Sequence, residues 1–236
     1  MYELDYSNFF NTDVNSKLFE HGLVIVRNAH NLSVDEFEKI GERLGKNLVG
    51  ELHVANSKKT VQVLSKEETF GDGDLPWHND WSYGKGDYHG TMLYNVRNAH
   101  LSPTWFIDMS KLPEHFYEDY KDEVGHYLPP QELLDNCFTD VQRRYLQKLK
   151  ITRPFVFDHY ITNERVLYCS PCTVTLNSNT DISGIINYAE QHSYKHEWQD
   201  GDLLIWDNIK MMHKRVAFEG DRMLWRIQFW LKKTTM

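Results

Sequence analysis

Gly201-Asp202-Leu203-Leu204-Ile205-Trp206-Asp207-Asn208-Ile209-Lys210-Met211-Met212-His213 decides the fold. Gly-Asp is a turn signal, Leu-Leu-Ile-Trp a short buried strand, and Asp-Asn a second turn. Together they aim the segment that carries His213 back across a sheet. An imidazole delivered in that way can serve as a metal ligand if other donors converge on it.

Such donors occur far upstream in Leu75-Pro76-Trp77-His78-Asn79-Asp80, just after the turn-prone run Gly71-Asp72-Gly73-Asp74. In an extended segment, side chains at i and i+2 share a face, so His78 and Asp80 can offer a nitrogen and an oxygen to one ion. With 12 His and 34 acidic residues in 236, a His-x-acid pair arises by chance roughly once or twice. The pair therefore takes its meaning from His213 as third ligand. Two His and one carboxylate on one face of an octahedral ion form the facial triad of non-haem Fe(II) oxygenases, with three positions left open.

Trp77-His78-Asn79-Asp80, Gly201 to Asn208, His213 and Arg222-x-x-x-Arg226 resemble, in order and context, the taurine dioxygenase-like group of Fe(II)/2-oxoglutarate-dependent oxygenases. Gly22 to Asn28 is similar to the opening strand of that family, Ser33 to Gly45 to its first helix, and Thr104 to Met109 to the strand after the ligand pair. Arg153 to Val156 and Arg165 to Tyr168 resemble the segment before its second half. The likeness covers most of the chain and is densest around the two ligand segments.

The resemblance implies Fe(II) and 2-oxoglutarate as cofactor and cosubstrate, dioxygen as oxidant, and succinate and carbon dioxide as coproducts. It assigns the distal carboxylate of 2-oxoglutarate to Arg222, with Thr104 as hydroxyl partner. A planar guanidinium suits a carboxylate because two charge-assisted hydrogen bonds can form in parallel. Arg222 follows His213 by nine residues, a shorter interval than is usual in the family. Arg226, thirteen residues after His213, is a rival for the same role. In the family the residue at its place often contacts a substrate carboxylate or sulfonate, which implies a small anionic or zwitterionic substrate. Asp80 favours hydroxylation over chlorination, because related halogenases carry a small residue there. Desaturation, hydroxylation followed by C–N or C–S cleavage, a peptidyl side chain as substrate, and a non-catalytic jelly-roll metal- or ligand-binding protein remain as alternatives.

The chain reads as a single domain over 1–236, long enough for one well-buried core. Its net charge of −8 argues against a nucleic-acid partner, which needs a basic stripe. Basic residues pair only in isolation, as Lys58-Lys59, Arg143-Arg144 and Lys232-Lys233, and read as solvated surface. Met1-Tyr2-Glu3-Leu4-Asp5 has neither part of a signal peptide, and no apolar run suggests a membrane span, so a cytoplasmic location is expected. Three cysteines give no disulfide framework. Cys169-Ser170-Pro171-Cys172 has zinc or redox spacing, yet only Cys137 remains as a further thiol, so two small residues in a strand and turn are expected. Oligomeric state is not legible.

Strands are expected over Leu23 to Val26, Thr60 to Leu64 and Thr91 to Val96. A helix with Ser33 as N-cap, Glu36 three positions on and Gly45 at its end is expected from the capping box and the spacing of Phe37, Ile40 and Leu44. Further helices are expected over Leu112 to Val124, with Glu114, Glu118, Asp119, Asp122 and Glu123 as a solvated face, over Leu133 to Leu149, and near Ile182 to His192. Trp81, Tyr83 and Tyr88, with Gly84 and Gly86 between them, read either as an aromatic lid or as core and turn residues. Many short strands with a few helices fit a mainly β fold with flanking helices, a cupin-like double-stranded β-helix or jelly roll.

Overall fold

The computed structural model describes residues 1–48, 60–67, 71–84, 89–135, 140–178 and 180–231. Strand β1 (Tyr2–Asp5), helix α1 (Val14–His21), strand β2 (Leu23–Arg27) and helix α2 (Val34–Leu44) open the chain. Strands β3 (Gly45–Asn47), β4 (Gln62–Leu64), β5 (Leu75–His78), β6 (His89–Arg97) and β7 (Thr104–Asp108) follow. The middle of the chain holds α3 (Glu114–Tyr120), β8 (Val124–Tyr127), α4 (Gln131–Asp135), α5 (Asp140–Leu146), β9 (Ile151–Pro154), β10 (Val156–Asp158), β11 (Arg165–Leu167), β12 (Val174–Leu176) and α6 (Ser183–His192). It closes with β13 (Tyr194–His196), β14 (Leu203–Asp207), β15 (Met211–Arg215) and β16 (Met223–Leu231).

The larger sheet runs β1-β2-β14-β6-β16-β3, with β4 also on β16, and the smaller runs β13-β7-β15-β5. Side-chain alternation explains how they pack. Leu23, Ile25, Leu204 and Trp206 point inward and meet Phe106 and Met211 of the smaller sheet. Val24, Val26, Leu203 and Ile205 point outward onto Leu18 of α1 and Phe37, Ile40 and Leu44 of α2. The outer face of the smaller sheet, with Trp77, Ile107 and Met212, is covered by the middle of the chain through Phe116, Tyr127, Phe155 and Ile185. The result is the mainly β sandwich with flanking helices expected of a double-stranded β-helix.

Ser33 caps α2 as the sequence implied: Glu36 N–H donates to Ser33 Oγ at 3.2 Å, and Ser33 N–H donates to Glu36 Oε2 at 2.8 Å. Gly45 ends that helix for a different reason than a left-handed cap, since its backbone is extended and starts β3 at once. A Cβ there would lie 1.9 Å from the Trp230 carbonyl oxygen, so the close approach of β3 to β16 requires glycine.

Two of the expected helices change. Pro113 delays α3 to Glu114, and the chain has turned into β8 by Val124, where pairing with β9 overrides the helical pattern. Of the helix expected over Leu133 to Leu149, the described residues hold α4 and α5, the latter ending at Leu146, and residues 136–139, including Cys137, lie outside the described residues. The helix near Ile182 is α6, with Ile182 at its N-cap. Glu114 and Glu118 are not merely solvated, because both pair with Arg165. Lys58-Lys59 and Lys232-Lys233 lie outside the described residues.

Ile205 is fully buried at the centre of the larger sheet, so Ile205→Ala should cost about 2–5 kcal/mol. Ser33→Ala should cost about 1 kcal/mol through its cap. Urea unfolding of both variants checks the order; a larger loss from the cap than from the core would contradict the packing described above.

Candidate metal centre

His78, Asp80 and His213 converge between the two sheets. The β5–β15 ladder sets His213 opposite His78, with ring centroids 4.2 Å apart. Asp80 Oδ1 lies 3.6 Å from His78 Nε2 and 3.8 Å from His213 Nε2. These separations are too long for hydrogen bonds. One ligand atom from each residue lies within 4.8 Å of the others, the geometry of donors that share an ion.

Each donor is in a state that can bind a metal. His78 Nδ1 lies 2.7 Å from the Pro76 carbonyl oxygen, to which it donates, so the Nε2 lone pair is left to face inward. Burial pushes His213 down to about 3, with His78 adding to the effect, so its imidazole is neutral. Burial alone would raise Asp80, but the Arg226 charge opposes it, and the carboxyl is held below its usual range. The donor set therefore fits Fe(II). Phe106 and Trp206 pack against the His213 ring, at 6.0 and 4.9 Å between centroids.

The turn that delivers His213 does not form a hairpin within one sheet. It carries the chain from β14 in the larger sheet to β15 in the smaller. Asp207 Oδ1 accepts from Ile209 N–H at 3.0 Å and Lys210 N–H at 3.3 Å. Buried Lys210 donates to the Phe19 carbonyl oxygen at 3.0 Å and to Glu164 Oε2 at 2.5 Å. His159, without a partner motif in the sequence, is fully buried with Nε2 3.1 Å from Asp207 Oδ2.

Arg226 reaches the metal ligands: its NH1 donates to Asp80 Oδ1 at 3.2 Å and its Nε to Gln62 Oε1 at 2.5 Å. Arg222 takes different neighbours. Its Nε lies 3.3 Å from the Ala99 carbonyl oxygen, its NH2 3.5 Å from that of Ser102, and no carboxylate pairs with it among the described residues. Burial, reinforced by Arg215, pulls Arg222 down to about 9. Phe218 lies under both guanidiniums, 5.2 Å from Arg222 and 4.9 Å from Arg215. Thr104 pairs in register with Arg215, and its Oγ1 accepts from Trp198 Nε1 at 3.1 Å.

Gln62 and Thr91, whose Oγ1 donates to Asp80 Oδ2 at 3.3 Å, are site neighbours that carry no motif. Both are buried polar residues on strands that border β16 or β14, a pattern visible only once the sheet order is known. Trp81 and Tyr83 pack on the core beneath the smaller sheet, as core and turn residues. Tyr88 and Gly86 lie outside the described residues. Cys169 is buried and Cys172 is exposed.

Two imidazoles and a carboxylate held inside a double-stranded β-helix make the facial triad of non-haem Fe(II) oxygenases. The family model described as taurine catabolism dioxygenase TauD, TfdA family, matches residues 3–228, and the chain belongs to that family. It is 22% identical over 202 residues to the alpha-ketoglutarate-dependent 2,4-dichlorophenoxyacetate dioxygenase of Burkholderia sp. (strain RASC), covering 75% of this chain and 66% of that protein. The chain thus spans just under two thirds of that relative. A taurine dioxygenase structure from Burkholderia xenovorans superposes with a TM-score of 0.69 at 19% identity, covering 97% of this chain and 83% of that one. The structure of AAD-2 in complex with Mn(II) and N-oxalylglycine gives 0.71 at 16% identity, covering 99% and 91%. These structural likenesses show the shared fold. No described helix is long and apolar enough to cross a membrane.

The lowered His213 gives the metal-free protein a pH dependence. An unfolded imidazole takes up a proton near 6.5, whereas folded His213 does so only near 3. The unfolded state therefore binds more protons between those values, and stability falls as pH drops from about 6.5 toward 3. Denaturant midpoints between pH 7.5 and 4 should show a shallower fall in His213→Gln; an unchanged slope would remove His213 as its source.

Proposed function

We propose that this dioxygenase hydroxylates an unactivated C–H bond of a small anionic or zwitterionic metabolite, with residues 1–236 acting as one catalytic domain. His78, Asp80 and His213 hold Fe(II), Arg222 and Thr104 hold the distal carboxylate of 2-oxoglutarate, and Arg226 faces the prime substrate. The observation that carries this reading is the different company of the two buried arginines. Among the described residues Arg222 sits beside a second guanidinium and hydrogen-bonds carbonyl oxygens without a carboxylate partner, whereas Arg226 already contacts a metal ligand.

A buried cation without a counter-ion is costly, so the Arg222 pocket favours a ligand that brings a carboxylate. Thr104 complements it: the hydroxyl oxygen accepts from Trp198, which leaves its proton to donate to that carboxylate. Arg226 places positive charge next to the metal centre, where it can orient an anionic group of the substrate. The relatives named for 2,4-dichlorophenoxyacetate and taurine support that class, since their names denote a carboxylate and a sulfonate. Phe106 and Trp206 shield His213 from water. When bound, Fe(II) and 2-oxoglutarate supply the oxidation: one oxygen atom of O2 enters succinate, the other the substrate hydroxyl, and carbon dioxide leaves.

Anaerobic addition of Fe(II) and 2-oxoglutarate should produce a visible charge-transfer band, which His78→Ala and His213→Ala should abolish together with succinate formation in folded protein. A retained band in either variant would remove the triad. Arg222→Gln should raise the half-saturating 2-oxoglutarate concentration about 10- to 150-fold, equivalent to roughly 1.5–3 kcal/mol, in assays of uncoupled succinate release. Arg226→Gln should instead weaken the prime substrate, found by screening metabolite pools against protein extracts for stimulated succinate release. A reversed pattern would exchange the two roles and remove the argument for an anionic substrate.

A further inference from the structure

Asp80 is the one metal donor that the sheet ladder does not hold. β5 ends at His78, whose partner across the ladder is His213, and Asp80 lies in the turn beyond. Its backbone is satisfied by one side chain. Asp80 N–H donates to Asn208 Oδ1 at 2.9 Å, and the Asp80 carbonyl oxygen accepts from Asn208 Nδ2 at 2.8 Å. A single amide thereby takes the place of a neighbouring strand, and its orientation is fixed, because the N–H needs an oxygen and the carbonyl needs an N–H.

The contact is returned. Asn79 Nδ2 donates to the Asn208 carbonyl oxygen at 2.8 Å and to that of Met211 at 3.3 Å, while Asn79 N–H donates to Ser170 Oγ at 3.2 Å. Asn208 is fully buried and Asn79 is 2% exposed. Each asparagine thus grips the backbone that carries the other. On one side that backbone leads through a capped turn to His213; on the other it is flanked by His78 and Asp80. Trp81 follows at φ 57°, a conformation that a bulky residue holds only where its surroundings impose it.

We infer that Asn79 and Asn208 form a reciprocal clasp that positions Asp80 against His78 and His213, setting the three donors for a metal ion before it arrives. Both are positioning residues, and the inference rests on the metal centre proposed above. Groups that orient ligands from behind typically change metal affinity by about 10- to 100-fold when removed.

Co(II) is a suitable probe because its visible d–d bands report ligand geometry as well as occupancy. Metal-free wild type, Asn208→Ala, Asn79→Ala, Asn208→Asp and His213→Ala are titrated with Co(II), with thermal unfolding followed before and after. Asn15→Ala, which removes a hydrogen bond donated by the side-chain amide to the Leu44 carbonyl oxygen far from the site, is the control for general destabilisation. The two clasp alanine variants should bind Co(II) about 10- to 100-fold more weakly, with altered bands at saturation and a smaller rise in Tm on loading. Asn208→Asp keeps an acceptor for Asp80 N–H and loses the donor, so it should fall between wild type and Asn208→Ala. Asn15→Ala should lower Tm and leave Co(II) affinity unchanged. If Asn208→Ala does not fold, Asn79→Ala decides. Wild-type affinity and bands in folded clasp variants would overturn the inference while the centre stands, provided His213→Ala loses Co(II). Wild-type binding in His213→Ala would overturn both.

Discussion

An ionised carboxylate between two sheets must be compensated where it stands, and Asp80 imposes that requirement on its surroundings. Arg226 supplies positive charge from β16, the imidazoles of His78 and His213 face it from the smaller sheet, and Thr91 donates to its other oxygen. These partners come from four strands in two sheets. The sandwich therefore closes around a charge as well as around Phe106, Trp206 and Leu204. A burial that would otherwise raise Asp80 becomes a means of keeping a donor ionised.

A second polar region lies around Phe218, which underlies both Arg215 and Arg222. Arg215 holds the turn before β5 through the Gly71 and Gly73 carbonyl oxygens, at 3.2 and 2.5 Å from NH2. The two arginines thus divide the work: one fixes the approach to the ligand strand, and the other hydrogen-bonds only backbone oxygens among the described residues. Aromatic faces tolerate cations because their quadrupole is negative there, which helps these like charges to coexist in the interior.

The sequence revealed what is local. His78 and Asp80 stand two apart, the capping box at Ser33 lies within one turn, and Leu203 to Trp206 is apolar without interruption because both faces of β14 are buried. Contacts between distant residues were not legible. Gln62 meets Arg226 across 164 positions and Asn79 meets Asn208 across 129, and nothing in either segment announces the other. His159 carries no sign in the sequence of its buried contact with Asp207, which sits in a motif that reads as a turn. The helix expected up to Val124 failed because pairing with β9, a tertiary effect, outweighed local periodicity. The triad could be named from sequence, while the groups that tune it required the sheet order.

The two sheets and the middle of the chain differ in how they can change length. His213 and Arg215 face the interior only because β15 keeps its register, so one residue inserted between Met211 and His213 would turn them to the other face. The segment between β7 and α6 contributes no triad residue and packs on the outer face of the smaller sheet. Insertions and deletions there leave strand parity intact. Descendants of this chain can therefore lengthen or shorten that covering without changing which face His213 takes, provided His159, Glu164 and Ser170 still meet Asp207, Lys210 and Asn79, whereas the strands of the two sheets can diversify only by substitution.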